Sequence, residues 1–315
     1  MSTVKGFLTD YNGKTVMLPT LLGWDIAHGM GTPCDAYSVR FLYDTSLLST
    51  LSNAVRFRAT YEGETVFYGV VDEFRIIADQ NGLIAEVSGR SLAALLMDNQ
   101  AEAAEYYGVS LDYILAKHVY PWGIESVRTK SIAAQAYFAV GSGQSQWRVL
   151  EQFVWFGGGV RPRFQRDGVL LLNNEKGINR TIGEETAITS QCYQEKRYGV
   201  ISEVLVKNRV MGTSWIVNND AFQAKGGRCR RIINVVAETS YDAMRYSGEY
   251  QITQSEDGAQ SCELTVHSLF AAFAGDIVTL TDSPIGLTGI FQVRESHCWA
   301  DGDGFGTVLT LAKEK

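Results

Sequence analysis

Histidine is scarce in this chain (4 residues), proline nearly as scarce (5), and cysteine numbers only 5 in 315 residues. Cys34, Cys192, Cys229, Cys262 and Cys298 are odd in number, widely spaced and free of any C-x-x-C pair, so they support neither a disulfide framework nor a zinc knuckle. They read as scattered reduced thiols. His28, His118, His267 and His297 include no H-E-x-x-H or i,i+4 arrangement, and no Gly-x-Ser-x-Gly elbow accompanies them. They are expected to be structural or surface histidines.

Long apolar runs are also missing, and no stretch approaches the roughly 18 residues needed to span a bilayer. The start, Met1-Ser-Thr-Val-Lys-Gly, lacks the apolar core of a signal peptide. The expectation is a protein made in the cytosol with no membrane insertion. Basic residues are outnumbered, 28 against 35, for a net charge of −7. That balance argues against a protein whose main task is to neutralise nucleic-acid phosphate.

What is present is 45% hydrophobic and 20% charged residues, the blend of a folded protein rather than a disordered one. At roughly 150 residues per domain the length predicts about two domains or one large one. Abundant glycine (31) with 11% aromatics leans toward many short strands joined by glycine turns.

Period-two alternation fills the first part of the chain. Lys5 to Thr9 and Thr15 to Leu18 flank an Asn12-Gly13 turn; Tyr37 to Phe41 and Val55 to Tyr61 place apolar groups on one face, with a turn at Glu62-Gly63. Val66 to Ile77 and Leu83 to Ser88 form a hairpin across Asp79-Gln-Asn-Gly82, giving about six strands before residue 90, enough for a small barrel.

After Gly89 the period changes to about 3.6. Ser91 is placed to cap a helix over Leu92–Met97, Ser110 one over Leu111–Ala116 that Pro121 ends, and a third helix runs Gln146 to Phe156 to a stop at Gly157-Gly-Gly159. Strands Val160 to Gln165 and Val169 to Leu172 follow, around Arg166-Asp-Gly. Alternation resumes over Ile201–Val210, Ser214–Val217, Cys262–Val266, Ile277–Leu280, Ile290–Glu295 and Thr307–Leu311. Ser240 to Tyr246 reads as a short capped helix.

An internal repeat is the informative feature. A shift of 222 residues aligns Val71 with Val293, Glu73 with Glu295, Ala78 with Ala300, Asp79 with Asp301 and Gly82 with Gly304, and pairs Val55 with Ile277 and Val87 with Leu309. Any two Asp-x-x-Gly hairpins share turn chemistry. The matched order of strands on either side suggests more: a mainly β chain with two related antiparallel β-barrels flanking a helical α+β domain. The expected parts are residues 1–90 (first barrel), 91–187 (α+β insert) and 188–315 (second barrel, with an excursion near 215–259).

Phe67-Tyr-Gly-Val-Val-Asp-Glu-Phe, followed by Ala85-Glu-Val-Ser-Gly-Arg-Ser-Leu-Ala-Ala-Leu-Leu-Met-Asp, resembles the closing strands and Gly-Arg-x-Leu helix start of the baseplate hub proteins of contractile phage tails and related phage-tail-like particles. The barrel–insert–barrel order is similar over nearly the whole chain. The resemblance implies a structural, non-enzymatic virion protein with tail-tube-like barrels. It implies a homotrimer whose two barrels per subunit make a pseudo-sixfold ring, a symmetry adaptor between the hexameric tail tube and the trimeric spike. Implied partners are a tail tube or tube-initiator protein, a central spike and other baseplate proteins, with assembly in the bacterial host cytoplasm. DNA would pass through the channel without specific binding, which a negative or neutral wall permits.

No catalytic, cofactor-binding or metal-binding residue is nominated. Glu102 and Glu105 read as a solvated helix face, and Gly157-Gly-Gly159 and Gly141-Ser-Gly-Gln as a helix stop and a loop, lacking a Walker lysine. Lys225-Gly-Gly-Arg-Cys-Arg-Arg231 reads as a surface loop or subunit contact, with nucleic acid the alternative. Trp122, Trp147, Trp155, Trp215 and Trp299 read as core or interface packing, with sugar stacking the alternative. Two other functions stay open: a carbohydrate- or cell-wall-binding β module, and a tail-associated peptidoglycan hydrolase.

Overall fold

Period-two alternation becomes a run of short strands in the structure, a computed structural model that describes residues 3–80, 82–235, 239, 241–256 and 259–313. β1 (Lys5–Asp10) and β2 (Thr15–Met17) form the first hairpin. β3 (Leu21–Gly29), β4 (Ala36–Leu42), the short helix α1 (Leu48–Asn53), β5 (Ala54–Tyr61), β6 (Glu64–Val70), β7 (Glu73–Asp79) and β8 (Gly82–Arg90) complete the first unit. Eight strands stand where the alternation gave about six. β3 escapes the pattern because Gly23 and Ala27 blur its polar side. Val66–Ile77 is not one strand: the chain breaks at Val71-Asp72 and passes from one sheet to another. Asn81, in the expected turn, lies outside the described residues.

β2-β1-β5-β6 is a four-stranded sheet, while β7, β8, β4 and β3 lie side by side in a larger one. Their inner faces share one core of Leu8, Ile26, Val39, Phe57, Phe67 and Val87. Tyr37 stacks on Phe57 with ring centroids 4.0 Å apart. Each such fully buried side chain contributes about 1.5–3 kcal/mol through apolar area removed from water.

The middle of the chain folds as α2 (Ala93–Met97), β9 (Ala104–Val109), α3 (Leu111–His118), β10 (Val127–Thr129), β11 (Gln135–Val140), α4 (Gln146–Gly158), β12 (Arg163–Phe164) and β13 (Leu170–Leu172). Ser110 caps α3 as expected, its hydroxyl accepting from the Tyr113 N–H. Ser91 caps nothing: α2 begins after Leu92, and the Ser91 hydroxyl instead accepts from the Asp35 N–H at 3.0 Å. Gly157 and Gly158 belong to α4, and Gly159 alone ends it in the left-handed conformation. Gly157 is small for packing: a Cβ there would lie 2.8 Å from Ile132. This segment has its own core around Ile114, Val149, Leu150 and Phe153.

Beyond it run β14 (Asn179–Ile182), β15 (Ile188–Glu195), β16 (Glu203–Asn208), β17 (Thr213–Asn218), α5 (Asp220–Ala224), β18 (Arg230–Val235) and α6 (Tyr241–Glu256). The chain closes with β19 (Gln260–Val266), β20 (Ile277–Leu280), β21 (Gly289–Ala300) and β22 (Phe305–Lys313). β14 falls within the stretch expected to be insert, yet it pairs in parallel with β20 and so packs with the second unit. The excursion also starts earlier than residue 215, because β16 is the centre of its own sheet, β17-β16-β18, which α6 covers. α6 is 16 residues long rather than a short helix. The Ser240 cap lies outside the described residues.

The two units are more than neighbours. One 10-stranded sheet runs β7-β8-β4-β3-β21-β22-β19-β15, with β20 on β21 and β14 on β20. β3 of the first unit pairs directly with β21 of the second. The observed architecture is thus mainly β, with two related antiparallel units and a helical insert.

Candidate functional site

The repeat seen in the sequence is carried by hydrogen-bond register. Glu73 pairs with Ser88, Arg75 with Glu86 and Ala78 with Leu83; 222 residues later Glu295 pairs with Thr310, His297 with Val308 and Ala300 with Phe305. The β7–β8 hairpin therefore recurs residue for residue in β21–β22. The irregularities recur too. The break at Val71-Asp72 corresponds to the bulge between Val293 and Glu295, where β21 continues as one strand. The bulge between Leu21 and Gly23 on β3 corresponds, 167 residues on, to that between Ile188 and Ser190 on β15. Bulges set local twist, so shared positions mean shared curvature.

β7-β8-β4-β3 is thus equivalent to β21-β22-β19-β15, and the two sets join head to tail through β3 and β21. At that seam Cys298 lies opposite Ile26 on the core side, while Trp299 lies opposite Asp25 on the other. Asp25 and His297 are ion-paired across it. The carboxylate of Asp25 raises the His297 pKa above its usual value. Trp24, Asp25, Ser38, Arg40, His297 and Trp299 line a shallow depression of about 430 Å³ there.

The sheet's open face carries the charge. Arg40 meets Glu86 at 3.0 Å, and Arg75 binds the same carboxylate. Glu73, Asp25, Glu295 and Glu263 share this face by register. Asp79 and Arg90 fall on it by the same rule, so among the described residues six carboxylates accompany three arginines and one histidine. Arg90, at the end of β8, forks between Asp72 (2.7 Å) and Asp98 (2.7 Å), clamping the first unit to α2 and holding the Asp98 carboxyl below its usual pKa. Half-buried Arg163, on β12, donates to the carbonyl of Glu175 and to that of Ala274, the second of which ties the insert to the second unit. Burial lowers its pKa. Neither anchor had a sequence signal beyond the Gly89-Arg90 pair.

The residues singled out from sequence do not converge. His28 sits between Asp35 (3.2 Å) and the Val66 carbonyl in the first core. His118 is buried against Tyr106 and Gln146 in the insert, and His267 stacks on Phe305. Among the described residues no group of three His, Cys, Asp or Glu side chains is arranged to hold a metal ion. Glu105 is on strand β9 and Glu102 precedes it, so they do not share a helix face; β9, paired antiparallel with β11, replaces the expected helical turn. Within Lys225–Arg231, Arg228 donates to the Gln223 and Gly227 carbonyls and Arg230 pairs with Glu203 at 2.6 Å; Arg230 and Arg231 lie on β18 rather than in a loop. Gly141 and Gln144 close a turn on each other. Trp147 is in the insert core, Trp155 donates to the Tyr246 carbonyl, and Trp215 is 43% exposed beside Tyr241.

No protein-family model matches the sequence, and no curated protein matches it. Solved structures match its shape over nearly the full length, and the fold they share is that of phage tail proteins. A tail protein from Neisseria meningitidis MC58 superposes with a TM-score of 0.78 at 18% identity, covering 99% of this chain and 97% of that one. The 43 kDa tail protein of prophage MuSo2 from Shewanella oneidensis gives 0.73 at 17% identity, covering 98% and 97%. An Escherichia coli component of the type VI secretion system, itself structurally similar to the T4 phage tail proteins gp27 and gp5, gives 0.60 at 12% identity, covering 94% and 74%.

Proposed function

We propose that this protein is a structural, non-enzymatic hub of a baseplate, in a contractile phage tail or a phage-tail-like injection particle. It acts as a trimer whose duplicated units form a pseudo-sixfold ring, adapting the hexameric tail tube to the trimeric spike. The observation that carries this reading is the in-register duplication joined head to tail at β3–β21. Head-to-tail contacts generate closed rings when the rotation fits. Two equivalent units per chain turn three copies into six.

The division into residues 1–90, an insert and a second unit follows this reading, with the second unit starting at β14. The open face of the large sheet is then the channel wall. Its acidic balance lets DNA pass without anchoring, because like charge disfavours phosphate contacts. Assembly takes place in the host cytoplasm, alongside a tail tube or tube initiator, a spike and other baseplate proteins. A sugar-binding role has less to stand on, since Trp147 is core and Trp155 and Trp299 are partly buried within the fold.

Light scattering coupled to size exclusion, with negative-stain averaging, tests the proposal. A trimeric ring with six similar lobes is expected. Monomers alone across a wide concentration range, with no ring in assembled particles, would sink it.

A further inference from the structure

The two outer edges of the large sheet are β7 and β15; among the described residues each pairs on one side only, β7 with β8 and β15 with β19. They are equivalent to the two strands that already pair inside the chain: β7 to the second half of β21, and β15 to β3. Both carry apolar side chains facing the core side of the sheet yet left open at its margins. Ile76 is 37% exposed and Tyr193 is 43% exposed. Open apolar edges template pairing with another strand.

We propose that β7 of one copy pairs antiparallel with β15 of a second copy, in the register that β21 and β3 keep within the chain. This rests on the ring reading above and adds the register. Trp299 opposite Asp25 becomes Ile77 opposite Cys192 of the neighbour. Cys298 opposite Ile26 becomes Ile76 opposite Tyr193, so the two exposed apolar side chains cover each other. Glu295 opposite Gly29 becomes Glu73 opposite Lys196, an opposite-charge pair at the end of the seam. Phe74 falls opposite Glu195 and Arg75 opposite Gln194, and no like-charged pair is brought together. The sheet then continues unbroken from copy to copy.

Directly opposed side chains on paired strands are close enough for a disulfide or a short cross-linker. Cys192 is a free, exposed thiol, so the variant Ile77→Cys places a cysteine opposite it across the seam. Mild oxidation or a short bis-maleimide is expected to convert this variant to covalent dimers and trimers on a non-reducing gel. Wild type and I77C/C192S should show none. A second variant, E73C/K196C in the C192S background, reports the same register independently should I77C fold poorly. Trimers by light scattering with no cross-link in either variant would overturn the seam and leave the ring intact. Monomers alone would overturn the ring and the seam with it.

Discussion

Gly69 and Gly89 show how single residues decide the path of the chain. A Cβ on Gly89 would lie 2.0 Å from the Val70 carbonyl oxygen, and one on Gly69 would lie 2.1 Å from that of Arg90. These contacts are with backbone, which cannot rotate away. The two glycines let β6 cross β8 where the chain leaves the four-stranded sheet for the large one, and Gly69 bridges Ser91 there. Arg90, next in sequence, then secures the corner with its two carboxylates. The Gly-Arg-x-Leu segment therefore reads physically as close approach, clamp and buried Leu92. Gly89→Ala should lower unfolding free energy in urea by about 3 kcal/mol, the upper end of the usual overpacking cost, because the clash is with backbone. Ala78→Gly, on the exposed part of a neighbouring strand, should cost well under half of that. Because strand propensity alone would make Gly89→Ala neutral or stabilising, the absence of a loss in that variant would show that the crossing is not at stake.

Elements were legible where alternation or caps were clean. The Asn12-Gly13 hairpin, the Ser110 cap and the strand Ile277–Leu280 all stand as the pattern implies. β9 and β11 were not, because a two-stranded ribbon packed under α3 and α4 has little alternation of its own; tertiary contact overrides local propensity there. Packing around that ribbon buries His118, whose Nδ1 lies 2.7 Å from Gln146 Oε1 and whose Nε2 lies 3.1 Å from the Tyr106 hydroxyl. The Gln146 amide donates to the Gln100 carbonyl, so its oxygen is left to accept from Nδ1–H. Burial pushes the His118 pKa below its ordinary value. The unfolded chain then takes up a proton that the native insert refuses. Stability from this site is intact above the unfolded value of about 6.5 and falls as pH drops toward the lowered native one. His297 has the opposite sign: its raised pKa favours the folded chain in acid, and that support fades as pH rises through the raised value. Urea unfolding between about pH 5 and pH 7 should show a smaller acid loss in His118→Gln than in wild type. Parallel pH profiles would remove His118 as the cause.

At the scale of the whole molecule, the sequence repeat pointed to duplication but not to one continuous sheet, because nothing in a single chain's pattern marks β3 as the partner of β21. That continuity sorts the charges. One face of the large sheet packs onto the two unit cores, while the other holds Glu73, Asp79, Glu86, Asp25, Glu295 and Glu263 against Arg40, Arg75, Arg90 and His297. A net −7 spread over any surface would say little; six carboxylates against three arginines and one histidine on one open face have a direction. In a ring closed along the sheet edges this face lines the bore, and its sign governs what passes. Reversing two exposed carboxylates, as in E263K/E295K, changes the formal charge by four per copy without touching either core. The reversed ring should hold single- or double-stranded DNA about tenfold or more tightly than wild type at low salt, with the difference shrinking as salt rises, the signature of phosphate contacts. Fluorescence anisotropy with labelled oligonucleotides on material shown by negative stain to be ring-shaped reads this directly. Reversed and wild-type rings of equal, negligible affinity would place these carboxylates outside the bore.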